Sequence, residues 1–278
     1  MADVKNSAFL LGEATLMMVP YADPTPVFEL TPDLHSVGMV RNVTLNSESD
    51  QVELRKGIMQ LLVDSKKSNV KVSLSTEVYE FSAQNVYRSL SLAKTATSTK
   101  RGKLKTAVTN AGSATIVITS DPIPGESATA ISQASDIPNG STIMIQVAGV
   151  GNDYVLPVRV TANTTTTTGD FTVTAAVPTG MSFPAGSRVW VVNEVEVGSI
   201  EEQDFFKVKV VGTLSNNERP LAIVFPKVKV SKGFQLQFDE GNYTSMPFEF
   251  SPYFLAGSEV SGRLAEIGTT ALAKAYLA

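Results

Sequence analysis

The sequence predicts a mainly β protein in two parts: a β-sandwich or barrel with one flanking helix, and a small β-sandwich inserted into it. Three observations predict this. Short alternating or β-branched apolar runs recur between Gly, Pro, Asn and Asp turn signals over most of the chain. Before the C-terminal stretch a single segment, "FSAQNVYRSLSLA", has helical spacing. Charge is also unevenly placed: between Lys105 and Lys207 the 278-residue chain carries ten acids against Arg159 and Arg188 alone, a shift that marks a domain border.

In chain order, residues 36–46 alternate loosely. Residues 70–81, "VKVSLSTEVYEF", alternate well, with Val70, Val72, Leu74 and Thr76 on one strand face. Between them "NSESDQVELRKGIM" (46–59) reads as a polar loop carrying Asp50, Glu53, Arg55 and Lys56. Ser82 can cap the helix, whose Val86 and Leu90 share a side with Phe81. The basic stretch "STKRGKLK" (98–105) reads as an exposed linker into the insert.

Strand-like runs at 114–119, 142–147, 154–160, 171–177 and 188–195, parted by Pro-, Gly- and Thr-rich turns, predict the inserted sandwich. The single tryptophan, Trp190, belongs in its core on this reading. Alternation returns at 205–211, 221–230, 234–238 and 246–250, the last two facing each other as a hairpin across 239–242. The expected division is therefore 1–98 with 194–257 as one discontinuous domain and 99–193 as the insert. Residues 258–278 form a weakly helical C-terminal arm, with Leu264, Ile267, Ala271 and Leu272 near one side.

A 43% hydrophobic content supports a buried core, whereas the net charge of −4 argues against a conventional nucleic-acid binder. The absence of cysteine excludes disulfides and thiolate metal sites. The start of the chain lacks the basic and long apolar regions of a signal peptide, and no window approaches the ~18 apolar residues of a membrane span. A soluble protein made in a cytoplasm is expected.

Chemistry-bearing motifs are sparse. His35, the only histidine, follows "TPDL" with no positioned partner in sight, and "VAGVGND" (147–153) lacks the third glycine and helix of a dinucleotide fingerprint. The densest acidic stretch, "EVEVGSIEEQDFF" (194–206), places Glu194 and Glu196 on one strand face and adds Glu201 and Glu202. Paired carboxylates serve glycosidases and calcium sites when their oxygens converge, but no D-x-D-x-D-G loop is present. No enzyme activity, cofactor or metal is expected.

Taken in order, "SAFLLGEATLMMV", then "VELRKGIMQLLVDSKKSNVKVSLSTEVYEFSAQNVYRSL", then "KGFQLQFDEGNYTSMPFEFSPYF" resembles the tail tube proteins of tailed bacteriophages. The resemblance covers roughly 1–98 and 194–257 and rests on order and texture. It implies a curved β domain flanked by one helix, closing as a hexamer into rings that stack into a pipe. The implied partners are other copies of the chain, the tape-measure protein, the tail terminator and the tail-tip or baseplate proteins. DNA passes through the lumen without specific binding, and the site of action is the virion. On this reading Asp50, Glu53, Arg55 and Lys56 lie on the loop that reaches a neighbouring subunit or ring. Part of the acidic set Glu194, Glu196, Glu201, Glu202, Asp239, Glu240 and Glu249 lines the bore, where repulsion lets DNA slide. The inserted sandwich resembles the Ig-like decorations of some phage tails and points outward, which favours a non-contractile tail. The competing expectations are a glycan-binding adhesin, with the Ser/Thr-rich sandwich as the binding module, and a glycan hydrolase using the 194–204 acids.

Overall fold

The computed structural model describes residues 14–56, 61–109, 112–147, 154–166, 170–198, 202–214, 219–235 and 245–277. The chain divides into two compact units, one from Met1–Thr95 with Val197–Ala278, the other from Ala96–Glu196. The first unit opens with β1 (Ala14–Pro20), the single turn α1 (Pro32–His35), β2 (Val40–Lys56), β3 (Leu61–Val78) and α2 (Ala83–Ser89). The second unit holds β4 (Lys100–Leu104), β5 (Gly112–Ser120), β6 (Thr142–Val147), β7 (Tyr154–Thr166), β8 (Asp170–Val177) and β9 (Arg188–Val191). The first resumes with β10 (Phe206–Leu214), β11 (Arg219–Lys232), β12 (Met246–Pro252) and β13 (Lys274–Leu277). The molecule is mainly β, as the alternation predicts.

Unit 1 is an antiparallel sheet in the order β1-β10-β11-β12-β3-β2, with β13 on the N-terminal half of β11. One face is apolar across the strands: Leu16 and Met18, Phe206 and Val208, Val228 and Val230, Phe248 and Phe250, Leu74 and Val78 are all buried. Each such side chain contributes about 1.5–3 kcal/mol on burial. Ser82 caps α2 as expected, its hydroxyl accepting from the Asn85 N–H at 3.2 Å. Asn85 Nδ2 in turn donates to the carbonyls of Val37 at 2.8 Å and Glu80 at 2.9 Å, which fixes α2 to the segment leading into β2.

The opposite face carries a second cluster of Met17, Val19, Val27, Leu30, Val224 and Ile267. Lys207 and Lys209 of β10 also lie there and are not solvated ends of a half-exposed strand. Lys207 Nζ donates to the carbonyls of Asp23 (2.5 Å) and Thr25 (3.1 Å), and Lys209 Nζ to those of Phe28 (2.8 Å) and Leu30 (3.0 Å). Burial holds both ammonium groups below the ordinary lysine range.

Several expectations are corrected in unit 1. Residues 46–56 are not a loop: β2 runs unbroken to Lys56 and pairs with β3 as far as Leu61. The C-terminal segment is not an α-helical arm. It makes two 3-10 turns, at Gly257–Glu259 and Gly262–Glu266, and then β13, whose Leu277, Tyr276, Ala275 and Lys274 pair with Leu221 to Val224. β12 pairs with β11 at Val228–Lys232. Phe234 and Gln235 are not in a strand, and 236–244 lie outside the described residues.

Unit 2 is a closed barrel in the order β4-β5-β8-β7-β6-β9, not the expected two-sheet sandwich. Closure comes from β4, the stretch expected as a linker, which pairs with β5 along one edge and with β9 along the other. Gly102 makes this approach feasible: a Cβ there would fall 2.6 Å from Ile118 Cγ2 and 2.7 Å from the Thr119 carbonyl. The interior is filled by Ile116, Ile118, Ile143, Ile145, Val158, Val160, Phe171, Val173, Val189 and Val191, among others. Trp190 is not in that core. The burial of Val189 and Val191 on either side turns the half-buried indole to the outer face of β9.

Candidate functional site

The β2–β3 ribbon is the least supported part of unit 1. β12 pairs with β3 only over Leu74–Val78, so from Asn46 to Lys56 the ribbon has no third strand among the described residues. Those residues span about 35 Å at strand rise. Residues 46–55 are all exposed, and between Asp64 and Ser73 no residue of β3 is buried, Leu74 being the next. A bulge sits part-way along, where Asn69 takes a left-handed conformation (φ 47°) between the pairs Ser49↔Val70 and Asp50↔Ser68. Its side chain donates to the Asp50 carboxylate at 3.3 Å, and the insertion increases the local twist.

The predicted loop residues lie on this ribbon and split between its faces. Asp50 shares a face with Val52 and Leu54, which stand 62% and 61% exposed opposite Lys66 and Asp64. Glu53 and Arg55 share the other face and pair with each other, Nη2 to Oε2 at 2.6 Å. Lys56 ends β2, paired with Leu61. Isolated two-stranded hairpins are marginal in water, and a long unpaired strand edge is a template for another chain. β2 presents such an edge along its full length among the described residues. Sequence reasoning placed the charges here but missed the strand, because alternation is legible only where one face is buried.

The acidic set is spread over both units. Glu194 and Glu196 belong to unit 2 and follow β9 in irregular structure rather than on a strand; the Glu194 carboxylate accepts from the Thr142 hydroxyl. Glu202 is exposed just ahead of β10, and Glu249 is half-buried on β12 between Ser75 and Lys232. Glu201, Asp239 and Glu240 lie outside the described residues. Most of "VAGVGND" lies outside them too. His35 Nδ1 accepts from the Thr31 N–H at 3.1 Å, so its ring closes the α1 turn locally. Among the described residues there is no group of three or more metal-ligating side chains, and no helix is long and apolar enough to cross a membrane.

The lower rim of unit 1 holds a cation–aromatic cluster. Phe205 stacks edge-on with Tyr21 (6.4 Å between centroids) and Tyr253 (5.3 Å), with Lys227 and Lys229 over its ring at 4.6 and 4.5 Å. Lys227 also donates to Glu259 at 2.7 Å, docking the 257–259 turn on β11. The hydrogen bond from Lys227, with that from the Ala256 N–H, holds the Glu259 carboxyl below the ordinary glutamate range. A carboxyl depressed by folding adds stability above its ordinary pKa and loses it as the pH falls through the lower folded value. Thermal melts between about pH 5 and pH 3 will therefore show Glu259→Gln with a flatter acid limb than the parent, and with lower stability at neutral pH. Identical limbs would show that the contact is not formed.

No protein-family model matches this chain, and no curated protein matches it either.

Proposed function

We propose that the chain is a structural subunit of a bacteriophage tail tube. Copies join edge to edge into hexameric rings, and the rings stack into a conduit for DNA and the tape-measure protein. The observation that carries this reading is the β2–β3 ribbon. It extends beyond the sheet with exposed apolar side chains on a strand whose outer edge is unpaired among the described residues. Such a ribbon gains its third strand and its cover from another copy, and a heterologous contact that closes on itself makes a ring. The mainly β architecture and the compact inserted barrel are compatible with this role. In the same reading the barrel faces outward, some of the acidic residues line the bore, and the tail terminator and tip proteins cap the two ends in the virion.

Negative-stain electron microscopy across a concentration series, with light scattering alongside, tests the proposal. Hollow tubes or rings with sixfold end views are the expected result. A monodisperse monomer at every concentration overturns a self-assembling tube.

A further inference from the structure

Unit 2 contains six basic residues, and their pairing is uneven. Lys100 lies 4.0 Å from Asp136, Arg101 3.3 Å from Asp121, and Lys105 is bridged to Asp170. The remaining three, Lys103, Arg159 and Arg188, are exposed and have no ion-pair or hydrogen-bond partner among the described residues. Two of them, Lys103 on β4 and Arg188 on β9, stand directly opposite each other in the ladder. Like charges in that position destabilise a sheet, yet none of the described acids of the same unit forms an ion pair with either of them.

The pair borders the only tryptophan of the chain. Trp190 lies two residues along β9 on the same outer face as Arg188, paired with Arg101 on one side and Met144 on the other. Its indole is held in one orientation. Nε1 donates to Gln146 Oε1 at 3.1 Å, and the nearly buried Arg101 guanidinium lies 5.4 Å from the ring centroid. Arg101 is itself fixed by the carbonyls of Asp121 and Pro122, both at 2.6 Å. A rigid, half-exposed aromatic plate beside two adjacent unpaired cations is a surface for a ligand with an apolar ring face and a carboxylate.

We propose that the outer face of β4 and β9 binds an acidic polysaccharide, with one sugar ring on Trp190 and its carboxylate between Lys103 and Arg188. Bidentate and charge-assisted bonding to arginine favours a carboxylate over a neutral hydroxyl. Nucleic acid fits less well. Unit 2 is slightly acidic overall and offers one stacking ring, whereas a nucleic-acid groove combines a broad basic track with several rings. This inference stands on unit 2 alone and does not depend on ring formation.

Because Trp190 is the only tryptophan, its emission reports the site directly in the full-length protein. Oligomers of galacturonate, guluronate and sialate are titrated against neutral galactose oligomers and an oligothymidylate, with calorimetry as a second readout. A saturable change with at least one acidic oligosaccharide is expected, weakened about tenfold or more by Lys103→Glu or Arg188→Glu and abolished in Trp190→Ala by calorimetry. Salt near 1 M, where the screening length is about 3 Å, weakens it too. Lys103→Glu also places opposite charges at the ladder position, so its thermal midpoint will rise while binding falls, which separates ligand loss from unfolding. No response to any acidic oligomer, equal binding of neutral and acidic sugars, or preference for the oligothymidylate each overturns the proposal.

Discussion

Gly233→Ala will destabilise unit 1 by about 3 kcal/mol or more. An added Cβ would lie 1.7 Å from the Ser89 carbonyl oxygen, 2.6 Å from its carbon and 3.0 Å from its Cα. All three are backbone atoms at the end of α2, so no rotamer change relieves the clash. The helix end is also unable to retreat. Ser89 Oγ donates to the Val86 carbonyl at 2.8 Å, and Ser91 is fully buried in a left-handed conformation (φ 61°). Its hydroxyl donates to the Asp204 carbonyl at 3.1 Å and accepts from the Val230 N–H at 3.3 Å, locking the region to β11. Urea titration followed by far-ultraviolet circular dichroism and by Trp190 emission separates the two units. The circular-dichroism transition is expected to move to lower urea while that of Trp190, in unit 2, stays in place. Unchanged transitions by both probes would mean that α2 and β11 do not approach this closely.

How much of this was legible in the sequence depended on burial. β12 announces itself because Met246, Phe248 and Phe250 alternate with half-buried Pro247, Glu249 and Ser251, and the Ser82 cap announces α2. β4 does not, since Lys100, Arg101, Lys103 and Lys105 crowd a short stretch in which Leu104 is the one large apolar side chain in the core. Four basic residues in that space read as a linker. The outer part of β2 is hidden for the opposite reason: both of its faces are exposed, so no period survives in the pattern. Trp190 sits in Val-Trp-Val, where either parity buries apolar side chains. Its size argued for the core, but the two valines occupy the barrel interior and the indole finds its partners in Gln146 and Arg101 outside. The acidic residues carried no spacing signal that could separate Glu194 and Glu196 from Glu202 and Glu249, which belong to different units.

On the proposed edge-to-edge assembly, Val52→Asp combined with Leu54→Asp will leave the subunit folded and abolish its association. Both side chains lie on one face of the ribbon and are well exposed, so the monomer loses little packing; the new carboxylate at 52 faces Lys66 and that at 54 faces Asp64, opposing effects that keep its stability within about 1 kcal/mol of the parent. In the proposed ring the same positions would be covered by a neighbouring copy, and two carboxylates buried there without partners would cost several kcal/mol each. With about 1.4 kcal/mol per tenfold, even partial burial weakens assembly by ~1000-fold or more. Sedimentation velocity and electron microscopy read this directly as monomer where the parent is expected to give rings or tubes. Glu53→Ala, on the other ribbon face, is the internal comparison: it removes only the exposed pair with Arg55, worth at most about 1 kcal/mol, and assembly should persist. Assembly by the double aspartate variant at parental concentrations would show that the contact between copies lies elsewhere, and the ribbon would then require another cover.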